Sequence, residues 1–401
     1  METGLRVQWR QFSLLLLVNA FVGAMVGLER SVMPTLAADE FGIASATVVL
    51  TFIVSFGLVK ALANLLTGHL ADVYGRKLLL VVGWCIGLPV PLLIIWAPDW
   101  SWVVAANILL GVQQGLCWSA AVVMKIDLVG LKARGLATGL NEFTGYGAMA
   151  LSTAGAGWLA ATYGVRPAPF LVGIGFAVAG LLVSLFLVRE TRQFAQTPSA
   201  AAVARPSFLQ VFARSSWQDA RLRSFSFAGL ANNLNDVVVW GMLPLLATVN
   251  GVSIAETARV GAVYLGVWGV TQLGSGALSD RYGRVGFIVA GFVLQSIGIV
   301  LFGAMTLPLW YIAAAVMGLG TGMVYPTLLA AVGDQVDPAW RATGLGVYRF
   351  WRDLGYALGA VVAGLSWDNG GALVGITLIS GITMAAGAAV LFAPRPVSAA
   401  Q

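Results

Sequence analysis

Apolar runs long enough to carry a helix through the hydrocarbon core of a bilayer, roughly 20 residues, recur along almost the whole chain. Short breaks rich in charge, Pro or Gly separate them. Cut at those breaks, the 401 residues predict twelve helical spans: 12–36, 46–67, 78–96, 102–124, 136–160, 170–188, 224–248, 255–274, 286–305, 309–331, 343–365 and 372–391. The first run embeds Glu29 and Arg30 and is followed by no small-residue cleavage site, so it is expected to stay as the first span instead of leaving as a signal peptide. The stretch 208–212, in the polar connection after span six, is predicted as a short interfacial helix.

The breaks repeat. Gly68-His69-Leu70-Ala71-Asp72-Val73-Tyr74-Gly75-Arg76-Lys77 joins spans two and three, and Gly276-Ala277-Leu278-Ser279-Asp280-Arg281-Tyr282-Gly283-Arg284-Val285 joins spans eight and nine. Gly111, Gly115, Asp127 and Arg134 match Gly318, Gly322, Asp334 and Arg341, each pair 207 residues apart. Ala137-Thr138-Gly139-Leu140 is echoed by Ala342-Thr343-Gly344-Leu345, two residues out of that register. The predicted organisation is an all-α integral membrane protein of two pseudo-symmetric six-helix bundles, 1–190 and 223–401. The linker 191–222 between them holds Thr197-Pro198-Ser199 and Arg205-Pro206-Ser207.

Composition agrees with lipid as the solvent. Residues are 59% hydrophobic and only 10% charged, too apolar for a soluble domain's surface. Seventeen Lys and Arg, Lys125 among them, gather on the side of the termini and repeated loops, against Arg166 and Arg259 on the other side. That bias predicts cytoplasmic termini. The net charge of +6 is therefore a topology signal, and its spread over helix ends, without a groove-sized patch, argues against nucleic acid as a partner. Cys85 and Cys117 lie in apolar runs without ligand spacing, which supports neither a disulfide framework nor a metal site.

The loop pattern G-x-L-A-D-x-x-G-R-K, its weaker echo and the twelve spans in two halves resemble the major facilitator superfamily over nearly the whole chain. That resemblance implies two bundles around a central cavity, rocking to open it to alternate sides. It further implies a secondary transporter without a cofactor, a monomer in a bacterial inner membrane, with a small-molecule substrate. It also implies a conformational latch in which Asp72 locks onto the start of span eleven and Arg76 pairs with Asp127, with Asp280 and Arg284 as the counterpart loop. In physical terms, Gly68 and Gly75 permit close helix approach and a tight turn, and Asp72 suits a helix N-terminus. The plainer reading is that these charges cap helices and orient the chain, with His69 a solvated loop residue. Two departures are specific. Gly111 stands where the family's R-x-x-Q-G arginine is expected, and span five lacks the G-P-x-x-G-G-like segment of many drug/proton antiporters.

Eight ionisable residues lie at membrane depth: Glu29, Arg30, Lys60, Glu142, Asp236, Arg349, Arg352 and Asp353. Each costs ~2.5–3.5 kcal/mol on insertion scales, so each is expected to face a cavity or a partner. Arg349, Arg352 and Asp353 share one face of span eleven with Tyr356 nearby, and Arg352 and Asp353 fall near mid-bilayer. Arg352 is the first candidate for a substrate-anchoring cation, because a guanidinium forks onto a carboxylate and stays charged; Arg349, Asp353, Tyr356, Asn235 and Arg30 are the other substrate-contact candidates. The competing reading is an inter-bundle ion pair, with Lys60 neutralising Asp353 and Arg349 a gate contact. Glu142, pseudo-equivalent to Arg349, is the first candidate for proton coupling, with Asp236 and Glu29 as rivals, since burial disfavours the charged form of a carboxylate; sodium is the alternative coupling ion. The Asn232-Asn233-Leu234-Asn235-Asp236 run suits a polar cavity or, equally, inter-helix packing.

These readings predict a proton-coupled transporter of a small polar, anionic or zwitterionic, organic solute. Proton-coupled efflux of amphiphilic drugs is the runner-up, favoured by Trp- and Phe-rich spans. A membrane receptor is expected to carry a soluble signalling domain, and an intramembrane enzyme a Ser/His, paired-Asp or metal constellation. The sequence presents neither, and no phosphate-cradling loop for ATP drive.

Overall fold

The computed structural model describes residues 4–130, 134–194, 206–304, 306–337 and 340–394, apart from the side chains of His69, Asp72, Arg134 and Ala342. Among the described residues every regular element is helical, and twelve rods follow the predicted spans. They are α1 (Leu5–Arg30, resumed as Met33–Phe41), α2 (Ala46–Val49 and Thr51–Tyr74), α3 (Arg76–Gly87 and Pro89–Ile95), α4 (Trp100–Val129), α5 (Arg134–Tyr163) and α6 (Ala168–Leu182 and Val183–Leu187). The second half supplies α7 (Ala220–Leu234, Val238–Met242 and Leu243–Val249), α8 (Ile254–Tyr282), α9 (Arg284–Phe302), α10 (Leu307–Gln335), α11 (Arg341–Gly370) and α12 (Ala372–Leu391). Several rods outrun their apolar cores by a turn at each end, where the helix leaves the hydrocarbon and hydropathy no longer marks it. The expected interfacial helix is present as Phe208–Ala213, closed by a capping box of Ser207 and Gln210.

Eight rods are apolar enough to cross a membrane on composition alone. The four that are not, α5, α7, α8 and α11, take part in the meeting of the halves: α5 packs on α8, α2 on α11, and the last segment of α7 on the second segment of α1. The side of a rod that meets lipid must be apolar, whereas a side turned toward a partner rod can carry polar groups.

Two rods are discontinuous at matching places. α1 breaks at Ser31 and Val32, immediately after Arg30, and α7 loosens after Leu234 and continues as a wide π turn from Val238. Arg30 and Val237 stand in the same 207-residue register as the sequence repeat. Pro34 and Pro244 sit in the first turn after each break, where a residue without an N–H costs the helix nothing.

The repeated glycines have one physical cause in both halves. A β-carbon on Gly111 would lie 2.8 Å from the Phe56 carbonyl oxygen, and one on Gly115 2.5 Å from Ala63 Cβ, so α4 seats directly on α2. Gly318 and Gly322 do the same for α10 on α8, against the Tyr264 carbonyl and Thr271, each at 2.5 Å. Gly75, at φ 92° in the α2–α3 turn, leaves room for the Glu190 carboxylate, a conformation that L side chains resist. Gly68 departs from expectation: it is exposed and nothing lies within 4 Å of a β-carbon placed there, so it mediates no close approach in this conformation.

The halves are closest at the end away from the repeated hairpins. A β-carbon on Gly157 would collide with Ala258, and one on Gly364 would lie 2.7 Å from Thr47 Cα. Toward the hairpin end, Gly139 clears the Gln272 carbonyl by 4.0 Å, and Gly135, Gly274 and Gly346 meet nothing within 4 Å. The interface is closed at the far end and diverges toward the hairpins.

Candidate functional site between the halves

Asp353 of α11 is the hub of a buried cluster midway along the interface. Its carboxylate accepts from Asn64 Nδ2 of α2 and, at 3.3 Å, from Asn233 Nδ2 of α7. Arg352 Nη1 stands 3.5 Å away and Lys60 Nζ of α2 3.9 Å. The pairing of Lys60 with Asp353 weighed from sequence is thus present, but Arg352 takes part as well. Arg352 lies over the Tyr325 ring of α10 at 3.8 Å and donates through Nη2 to the Tyr146 hydroxyl of α5 at 3.3 Å, while its Nε has no hydrogen-bond partner. Tyr146 packs on Trp268 of α8, ring centres 3.8 Å apart, and against Trp118 of α4. Trp118 Nε1 and Asn141 Nδ2 donate to Glu142 Oε1 at 3.0 and 2.9 Å, leaving Glu142 Oε2 buried and unpartnered.

Toward the far end the cluster continues into a box around Arg30. The guanidinium carbon lies 4.4 Å from the Phe56 ring centre, 4.9 Å from Trp240 and 5.3 Å from Phe52. Arg30 is only 2% exposed, and none of its three guanidinium nitrogens has a hydrogen-bond partner among the described residues. Ring faces attract a cation but accept no N–H bonds of the strength a carboxylate offers. Glu29, its chain neighbour, is also buried with Oε2 unpartnered. Tyr356 joins the box to the hub: it stacks on Trp240 at 5.1 Å and lies 5.1 Å from Lys60 Nζ.

The other sequence candidates fall elsewhere. Arg349, half-buried one turn nearer the hairpins, has no ion-pair partner among the described residues and does not meet Glu142. Asp236 accepts from the Tyr264 hydroxyl and keeps Oδ2 unpartnered inside the second half. Asn235 turns away from the cluster into α9 and α12, bonded to Gln295 at 2.5 Å and Thr383 at 2.7 Å. Lys125, counted from sequence with the loop cations, is instead completely buried and donates to the Leu15 carbonyl at 3.0 Å.

At the hairpin end, Arg76 Nε stands 3.3 Å from Asp127. Its repeat counterpart Arg284 bonds Asp334 at 2.6 Å and Asp280 at 3.0 Å. The Asp72 side chain lies outside the described residues. Glu190, not singled out from sequence, accepts backbone N–H bonds from Arg76, Lys77, Thr191 and Arg192 at 2.8–3.2 Å. Burial raises its carboxyl, but those four donors outweigh that and hold it below the usual range.

Asp368, in the last turn of α11 at its hairpin-distal end, closes the opposite side. It accepts from Ser45 Oγ, Ala46 N and Thr47 N at 2.7–3.0 Å, bridging α11 to the first turn of α2 across the interface. A Ser before an apolar run is a cap signal; nothing in sequence indicated that a carboxylate from the other half would share it. Tyr146, Trp268 and Tyr325 gave no signal either, being aromatic residues among many in apolar runs.

The model of the Major Facilitator Superfamily matches residues 15–227 and again 225–401. A probable 4-methylmuconolactone transporter of Cupriavidus pinatubonensis is 34% identical over 125 residues, 31% of this chain and 29% of that protein. The magnetosome protein MamH of Paramagnetospirillum magneticum is 40% identical over 78 residues, covering 17% and 18%. The aligned stretches thus span less than a third of these relatives. Among solved structures, the nucleoside transporter NupG superimposes with TM-score 0.74 over 95% of this chain and 99% of that one at 14% identity, a likeness of fold. With its two matched halves and twelve rods, the chain belongs to the Major Facilitator Superfamily.

Proposed function

We propose that this chain is a secondary transporter of a small organic anion or zwitterion, driven by protons, and that 1–190 and 223–401 rock about the linker 191–222 in a bacterial inner membrane with cytoplasmic termini. The family and the named relatives point to transport of small organic solutes and not to catalysis. The observation that carries the anionic class is the Arg30 guanidinium, buried between the halves with every nitrogen unpartnered. A buried cation without partners is costly, and a carboxylate entering as the far end opens supplies what it lacks. Arg352 offers the second anchor through its open Nε, Arg349 an approach cation, and Tyr356 the wall between. Glu142, Asp236 and Glu29 each keep one oxygen unpartnered and are the proton-coupling candidates in that order.

The eight rings at this interface favour one second reading, efflux of amphiphilic cations. Uptake into proteoliposomes under an imposed pH gradient separates the two. Labelled carboxylates are expected to accumulate, to be released by a protonophore, and to fail in Arg30→Ala and Arg352→Ala. Movement of lipophilic cations alone, retained in both variants, would replace this reading with efflux.

A further inference from the structure

On the outer face of the second half, at the hairpin end, a cavity of about 540 Å³ opens between the linker, the start of α7, α11 and the end of α12. Its walls are Trp217, Ala220, Phe227, Leu230, Trp351 and Phe392. None of its lining residues belongs to the cluster between the halves. The serines on its wall are used internally: Ser216 Oγ accepts from Trp351 Nε1 at 2.8 Å, Ser224 donates to the Arg221 carbonyl at 2.7 Å, and Ser226 to the Ser215 carbonyl at 3.3 Å. The outward-facing polar group is Arg223, exposed at the rim and committing only Nη1, at 3.2 Å, to the Trp217 carbonyl. A guanidinium has five donors, so most of its capacity stays open. Arg221 and Arg214 lie close by on aromatic rings of the same region. The Asp219 carboxylate, four residues before Arg223, caps α7 through the N–H groups of Arg221 and Leu222, both at 2.9 Å.

An apolar slot that faces lipid and carries a cation at the level where a span begins matches an acyl chain below an anionic headgroup. We propose that this cavity binds one anionic phospholipid, an acyl chain between Phe227, Leu230 and Phe392 and the phosphate on Arg223. The bound lipid then fills the angle between the linker and Trp351, the residue before Arg352. It braces the connection between the halves against the rod that carries the hub.

Native mass spectrometry of the full chain, exchanged into detergent and titrated with phosphatidylglycerol or phosphatidylcholine, tests this. The first lipid is expected to be retained preferentially as a single adduct. Arg223→Gln should lower that preference about fivefold, the worth of one Arg beside an anionic headgroup, with phosphatidylcholine retention falling less than phosphatidylglycerol retention. Ala220→Trp, which fills the slot, should lower both, and a monodisperse elution with an unchanged unfolding midpoint shows that each variant is folded. Equal retention of the two lipids, or a preference that survives Arg223→Gln, would overturn the proposal. So would a rise in lipid retention on removing 395–401, which would assign the slot to the chain's own tail.

Discussion

Arg30 and Asp353 pose opposite electrostatic problems a few residues apart in space. Arg30 is a buried cation with no hydrogen-bonding partner, whereas Asp353 is an anion shared by Arg352, Lys60, Asn64 and Asn233. Their substitutions should therefore differ in kind. Arg30→Ala removes an unmet charge, so the ligand-free protein should keep or raise its unfolding midpoint, while ligand binding weakens by about 1.5–3 kcal/mol, roughly ten- to a hundredfold. Asp353→Asn leaves two cations without a counter-charge and should destabilise by about 3–5 kcal/mol, and Lys60→Met in the same chain should recover part of that. Thermal unfolding with and without ligand reads both. The sequence picked out these residues because a charge at membrane depth is conspicuous. It gave no hint of Tyr146, Trp268 and Tyr325, since an aromatic ring in an apolar run looks the same whether it meets lipid or a guanidinium. It also grouped Asn235 with the cavity, because a run of polar residues around a helix does not say which of them faces inward.

At the scale of elements, the spans were legible and their interruptions were not. Hydropathy marks where a rod lies in lipid, but not that α1 and α7 break beside their polar runs, where freed backbone groups close back on their own rod, Val32 N on the Glu29 carbonyl and Val238 N on that of Asn235. The glycine pairs were visible as a repeat, and the structure adds their partners. Gly318→Leu would drive a side chain into the Tyr264 carbonyl, an overpacking expected to cost at least about 1–3 kcal/mol, measurable as a lowered unfolding midpoint. Asp368 is the element that joins α11 to α2 at the far end. Burial raises its carboxyl, but the hydrogen bonds from Ser45, Thr47 and Ala46 together outweigh that and push it down to about 2. A group depressed on forming its contacts stabilises them above its ordinary value, near 3.9, and loses them only as pH falls toward 2. Spin-label distances across the far end should therefore be the same at pH 5 and pH 8, and Asp368→Ala should shift them toward a wider population at both.

For the whole molecule, a far end held by Asp368 and an interface that diverges toward the hairpins describe one of the two states that rocking bundles require. The alternate state must separate Trp240 from Phe52 and Phe56, because these rings come from different halves, and so must uncover Arg30. Coupling belongs to this scale as well. Glu142→Gln should abolish proton-driven accumulation while leaving exchange of labelled for unlabelled solute intact, since exchange needs the bundles to rock but no net proton movement. Twelve rods in two halves followed from the sequence alone; which solute they carry did not, because that rests on side chains brought together from eight rods.

The central claim is that Arg30 and Arg352 bind an organic anion between the halves. Thermal unfolding of the purified protein against carboxylates, amino acids, nucleosides and lipophilic cations tests it most directly, since a ligand at about 100 times its Kd adds ~2.7 kcal/mol. Stabilisation by a carboxylate that disappears in Arg30→Ala and in Arg352→Ala is the predicted result. Stabilisation by lipophilic cations only, unchanged in both variants, would contradict it.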